Sequence, residues 1–413
     1  MTRLSDLLGL LLVDQNSHSL GRLADVVVWI IDHDPPVATG FLVRQEGEEV
    51  FAPLAAVTEL RIGPSRLILR PLPRLDAFVR RSQEVLLERD LLDGTVIDLR
   101  EPRLVRVNDL MLEIAGTRLT VVGVDVGPRA LLYRLLPRAF RREAEPRLVT
   151  WPDLELLSSE LPEGILVPDH ARLARLHPTD IARLAEAAPV RQATEILAAL
   201  TDDLAADTME EMADEKQAEV VEQLDPERAA DILEHMAPDA AADVLAELEP
   251  DAVNAVLRLM NAAEAAEVHA LLTYPKHTAG GLMTTDFVTA PPDLTVRDAT
   301  TYLRPQLSKP DWVYYIYVVD DKAGQKLLGV FSLRDLLLAP PDASVAAIME
   351  TQPRCVGPDT PAATVAQIMS DYNLLALPVT DEEERLLGIV SVDDALEIVL
   401  PPDLRRRLPR IFS

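Results

Sequence analysis

One cysteine, Cys355, is all the chain contains, so no internal disulfide can form and no thiolate cluster can hold zinc. Positive charge is scarce too: 40 Lys and Arg stand against 68 Asp and Glu, a net charge of -28. That deficit argues against general nucleic-acid binding, where Lys and Arg must replace phosphate counterions, and it is permissive for cations. Long hydrophobic runs are missing as well. A membrane-spanning helix needs about 20 mainly apolar residues, whereas the run from Leu7 to Val13 ends at Asp14-Gln15-Asn16. It follows Asp6, and no small-residue cleavage site comes after it, so neither a signal peptide nor a transmembrane segment is expected. No His-Glu-x-x-His, Gly-x-Ser-x-Gly elbow, P-loop or dinucleotide fingerprint is present, and the expectation is a cytoplasmic protein that is not an enzyme.

What is present is material for several cores: 413 residues, 48% of them hydrophobic. Residues 1 to about 75 read as short strands, including Gly21 to Ile30, Thr39 to Val43, Glu49 to Pro53 and Arg66 to Leu69, with a turn at Asp32-His33-Asp34-Pro35-Pro36. A segment of similar grammar runs from about Val85 to Pro137, and Leu11-Leu12-Val13-Asp14 in the first answers Leu91-Leu92-Asp93 in the second. The pattern suggests a duplicated, heavily bent antiparallel sheet or small barrel. A connector rich in Arg, Glu and Pro follows over 138–168.

From about Ala171 the period becomes helical and glycine disappears until Gly280. Pro178, Pro226, Pro238 and Pro250 share one 12-residue register, with apolar residues such as Ala229, Ala230, Ile232, Leu233 and Met236 at fixed offsets. Proline at this interval forbids one long helix but suits a first helical position, and Asp225 is placed to cap the helix begun by Pro226. The expectation is about eight short helices stacked as a superhelical solenoid, since each alone is too short to be stable. Residues 201–275 carry 20 acids against three bases, so one wall of that stack is strongly acidic.

Residues 281–400 hold two copies of a strand–turn–strand–helix unit, the first around Leu328-Gly329-Val330-Phe331-Ser332 and the second around Leu387-Gly388-Ile389-Val390-Ser391. Each copy opens at a Met-containing step, Leu282-Met283-Thr284 and Ile348-Met349-Glu350. Ser332-x-x-Asp335 and Ser391-x-x-Asp394 fit a capping box. The same placement is compatible with a nucleotide, the acid taking ribose hydroxyls and the helix start facing phosphate. Asp393, Asp394 and Glu397 gather three carboxylates at the start of one helix, an arrangement that serves either as solvated cap acids or as ligands for a hard cation such as Mg2+. Tyr274 to Gly281 reads as a hinge.

Residues 271–288, 314–320, 329–336 and 388–394 resemble the cytosolic half of the MgtE magnesium transporters: a helical N domain at 170–277 and a tandem CBS pair at 281–400. Residues 1–80 and 81–150 resemble two PRC-barrel domains. The fold class implied is multidomain: small β-barrels, an all-α short-helix solenoid and an α/β CBS pair. In that family the cytosolic half senses Mg2+, CBS pairs dimerise, and some hold ATP or another adenine nucleotide. The resemblance therefore implies Asp393, Asp394 and Glu397 as metal ligands and Ser332, Asp335, Ser391 and Asp394 as nucleotide contacts. It also implies a homodimer acting on a partner such as a separately encoded membrane transporter, in the cytoplasm or peripheral to the inner face of the membrane. Two features depart from the family: the membrane domain that should follow is absent, and its usual acidic pair after Tyr-Pro is Lys276-His277 here.

Overall fold

A computed structural model describes residues 1–13, 19–30, 34–55, 57, 59–63, 66–70, 75–81, 83–136, 141, 145–157, 161, 172–308, 313–320 and 325–396, with backbone alone for 397–399. It divides into two compact units, Met1–Met212 and Ala213–Ser413, whose boundary falls inside the helical repeats.

The first unit is built on one large sheet. Its strands run in the order Thr2–Arg3, Asp109–Ala115, Arg118–Asp125, Val37–Gln45, Ser19–Trp29, Leu11–Val13, Arg66–Arg70 and Glu59–Ile62, with Glu48–Pro53, Asp76–Ala77, Glu84–Leu86 and Leu148–Thr150 pairing at its sides. Only Leu11–Val13 with Arg66–Arg70 is a parallel pair among these. This is an open, curled sheet, and the two similar segments share it. Their apolar side chains also share one core, from Leu4 and Phe41 to Val124 and Trp151.

The sharing is reciprocal. The first segment begins with Thr2–Arg3 and a one-turn helix, Leu4–Leu7; the strand pairs with Asp109–Ala115 of the second segment. The second begins with Glu84–Leu86 and a helical turn, Leu87–Leu91; that strand pairs with Ser19–Trp29 of the first. Each turn leaves backbone N–H groups without intrahelical partners, and a buried aspartate from the opposite segment takes them. Asp25 Oδ1 accepts from Glu88 N at 2.8 Å and Oδ2 from Arg89 N at 3.1 Å. Asp109 Oδ1 accepts from Ser5 N at 3.2 Å and Oδ2 from Ser5 Oγ at 2.5 Å. Both aspartates are fully buried. Burial pushes the Asp25 carboxyl up from 3.8 to about 6, against the pull of its three backbone hydrogen bonds. Asp109 shifts in the same direction for the same reason.

The repeats fold as eight helices that begin at Pro178, Val190, Asp202, Asp214, Pro226, Pro238, Pro250 and Ala262, 12 residues apart. Proline stands at the first helical position of four of them. The apolar positions from Ala193 to Leu248 are buried as the register requires, whereas Ala266 in the last repeat is exposed. Within each unit a helix packs on the next but one, Pro178–Ala187 on Asp202–Glu210 and Pro226–His235 on Pro250–Leu259. Asp225 does occupy the N-cap position, but its side chain makes no cap bond; the side-chain caps seen in this region are His177 to Thr179 N and Asn261 to Ala263 N.

In the second unit the strands Val288–Ala290, Tyr315–Asp320 and Lys326–Ser332 form one small sheet, and Ala376–Thr380 with Leu386–Ser391 the other. Here too the copies complete each other. Ile389, beside Gly388, exchanges backbone bonds of 2.9 and 3.0 Å with Thr284, while Val330, beside Gly329, does so with Glu350 at 3.0 and 2.8 Å. A Cβ on Gly388 would lie 2.8 Å from Met283 and Thr284, and one on Gly329 2.5 Å from Glu350 O. Both positions therefore exclude any side chain, which is why a glycine precedes each Ser-x-x-Asp.

Candidate functional site

Each candidate site is a strand that hands over to a helix. Strand Lys326–Ser332 ends where helix Leu333–Leu338 begins, and Ser332 is its N-cap. Ser332 Oγ accepts from Asp335 N at 3.1 Å, while Asp335 Oδ2 accepts from Ser332 N at 2.9 Å and Ser332 Oγ at 2.6 Å. The capping box expected from the sequence is complete. The hydrogen bonds from the Ser332 hydroxyl and amide hold the exposed Asp335 carboxyl below its ordinary range. Both engage the same carboxylate oxygen, Oδ2.

The second turn repeats the motif at helix Val392–Val399. Ser391 Oγ donates to Asp394 Oδ2 at 2.5 Å and accepts from Asp394 N at 3.2 Å. Asp393 and Asp394 both lie in the first turn, half-buried; the Glu397 side chain falls outside the described residues. Among the described residues no group of three or more His, Cys, Asp and Glu side chains is placed to hold a metal. Two adjacent carboxylates suit a hard cation that keeps most of its waters.

A neighbour missed at the level of sequence is Tyr314. Burial first, and then the charges of Asp393 and Asp394, push its hydroxyl pKa up, so it stays a protonated donor beside these acids. Among the described residues that hydroxyl, which is buried, has no hydrogen-bond partner, and neither has the hydroxyl of Tyr317, a fully buried residue in the core shared by the two copies. Both tyrosines lie in the run Tyr314-Tyr315-Ile316-Tyr317, which alternation alone marks as strand and nothing more. Of the described histidines, His235 places Nδ1 2.8 Å from Asp231 O, and His177 caps a helix. Cys355 is exposed, its Sγ 3.4 Å from Pro353 O.

Residues 176–277 match the MgtE intracellular N domain, and residues 279–342 and 345–401 match the CBS domain; both are regulatory modules rather than catalytic ones. The magnesium transporter MgtE of Thermus thermophilus is 45% identical over 141 residues, 34% of this chain and 31% of the relative. That of Enterococcus faecalis is 42% identical over 136 residues, 33% and 30% of the two chains. The chain thus spans about a third of the length of these relatives. The crystal structure of the cytosolic domain of the Mg2+ channel MgtE in complex with ATP superposes with a TM-score of 0.52 at 38% identity, covering 55% of this chain and 92% of that one. Through residues 176–401 the chain belongs to the family of MgtE cytosolic regions, an intracellular N domain joined to a pair of CBS domains.

Proposed function

We propose that the protein is a Mg2+-responsive regulatory module that acts on a partner and does not itself carry ions. The observation that carries this reading is the unbroken succession of N domain and CBS pair, alike over 92% of the cytosolic domain of an Mg2+ channel. Among the described residues no helix is long and apolar enough to cross a membrane, which supports action on a separate membrane transporter. The metal ligands in this reading are Asp393, Asp394 and Glu397, and the CBS pair is the homodimer contact. Residues 1–80 and 81–150 serve as PRC-barrel-like halves that engage the partner, at the inner face of the membrane or in the cytoplasm. Electrostatics supplies the switch: with 20 acids against three bases over 201–275, the helical face approaches further carboxylates at low cost only when cations lie between.

Calorimetric titration with Mg2+ at constant ionic strength tests this. Saturable binding below about 10 mM is expected, weakened by Asp393→Asn. A flat titration together with an unchanged hydrodynamic size would remove the sensor reading.

A second reading, an adenine-nucleotide sensor, is favoured by one observation: the similar cytosolic domain was crystallised with ATP. Ser332, Asp335, Ser391 and Asp394 are then the contacts. Losing one charged hydrogen bond predicts that Asp335→Ala weakens ATP binding about tenfold or more while Mg2+ binding persists.

A further inference from the structure

The segment from Tyr274 to Gly281, which the sequence suggests is a hinge, is a bonded elbow. Ala279 N donates to Thr360 O at 2.7 Å, Gly280 N to Pro358 O at 2.8 Å, and Ala362 N to His277 O at 3.0 Å. A Cβ on Gly280 would lie 2.5 Å from the Tyr274 ring, and one on Gly281 2.3 Å from Pro275 O. The backbone folds back closely on itself, with Lys276 between these contacts.

From there the Lys276 ammonium reaches the helical repeats. Its Nζ lies 2.7 Å from Oε1 of Glu247, the C-cap residue of helix Pro238–Ala246. Asp243 on that helix and Asp214, the first residue of helix Asp214–Val221, act on it as well. Burial works against the charge of Lys276, yet the Glu247 hydrogen bond and these three carboxylates outweigh it and raise its pKa above the ordinary value. The tethered cation thus pairs directly with Glu247, and the charges of Asp243 and Asp214 favour it as well.

We propose that Lys276 is a built-in counter-ion, which holds the junction between helical repeats and CBS pair without a divalent cation. Neighbouring carboxylates repel, and positive charge between them is required for close packing. An ammonium on the chain supplies it with no ion to recruit, and the same charge repels an incoming Mg2+. A set of donors that includes an ammonium does not fit a divalent ion. The inference goes beyond the sensor reading, because it concerns a place that Mg2+ does not visit.

Hydrogen exchange of the full chain, followed at amides 271–284 in chelator and in millimolar MgCl2 at fixed ionic strength, tests it. The wild type should exchange equally slowly in both, and Lys276→Arg should match it. Lys276→Gln should exchange about fivefold faster in chelator, the equivalent of losing one half-exposed ion pair. Lys276→Glu should be faster still and should be slowed by Mg2+. Wild-type protection that depends on Mg2+ would overturn the proposal, as would a Lys276→Glu chain that is as slow as wild type in chelator or indifferent to Mg2+. Failure of the sensor reading shows elsewhere, as the lack of any Mg2+ effect at residues 386–399.

Discussion

Replacing Asp25 by alanine should destabilise the β-rich unit more in mild acid than near neutrality. The carboxylate is the acceptor for the Glu88 and Arg89 amides across the two segments. Orphaning a buried donor costs about 1–3 kcal/mol, and because these two bonds are partly buried the pair costs toward the lower end of about 2–6 kcal/mol. Against this stands the penalty of keeping a buried charge. The folded-state pKa is raised from 3.8 to about 6, so Asp25 contributes stability that is fully present below 3.8 and is lost as pH rises through about 6. Integrated, that penalty is about 1.6 kcal/mol at pH 5 and about 3 kcal/mol at pH 7.5. Alanine escapes it at both.

The cost of Asp25→Ala should therefore be about 1.4 kcal/mol greater at pH 5 than at pH 7.5. Trp29 and Trp151 lie in this unit and the third tryptophan is Trp312. Urea unfolding followed by tryptophan emission in a Trp312→Phe background then reports the β-rich unit. Asp109→Ala should show the same sign, since its carboxyl is also raised by burial. A cost that is flat with pH, or larger at pH 7.5, would refute the reasoning.

Two further outcomes follow from single groups. Tyr317→Phe deletes a fully buried hydroxyl that has no hydrogen-bond partner among the described residues, so it should raise stability by about 1 kcal/mol, read as an upward shift of the CBS-pair thermal midpoint. A lowered midpoint would mean that the hydroxyl has an acceptor. Ser332→Ala removes the hydroxyl half of the capping box and leaves the bond from residue 332 N to Asp335 Oδ2; it should cost about 1 kcal/mol, with faster amide exchange confined to Leu333–Leu338.

How much of this was legible beforehand follows from the range of the forces involved. The 12-residue register fixed eight helix starts because proline position and apolar spacing are local signals. The capping boxes were equally local, and Ser332 with Asp335 fulfils one completely. The β-rich unit was harder. Its strands were readable as strands, but alternation says nothing about which strands pair, and the two segments turned out to share one sheet and one core. Asp25 and Asp109 looked like ordinary polar residues in strands. Only the helical turns they cap, more than 60 and 100 residues away, make them important. Tyr314 escaped notice for the same reason, since its relation to Asp393 and Asp394 is tertiary.

The two glycines that precede the Ser-x-x-Asp motifs separate local damage from transmitted damage. Gly388 lies against Met283 and Thr284, just beyond the elbow that carries Lys276, whereas Gly329 lies against Met349 and Glu350, within the second copy. Alanine at either place forces backbone to shift, at a cost of about 1–3 kcal/mol. The costs are alike, but the consequences should differ. Gly388→Ala pushes on Thr284, whose amide and carbonyl bond Ile389, and should speed hydrogen exchange at 276–284 as well as at 386–391. Gly329→Ala should speed exchange at 326–332 and 349–351 and leave the elbow protected. Because Ser391 follows Gly388 by three residues in the same strand, this contrast also measures whether the elbow feels events at the second strand-to-helix turn. Equal protection of 276–284 in the two variants would mean that it does not, and that the copies, though interlocked, are mechanically independent.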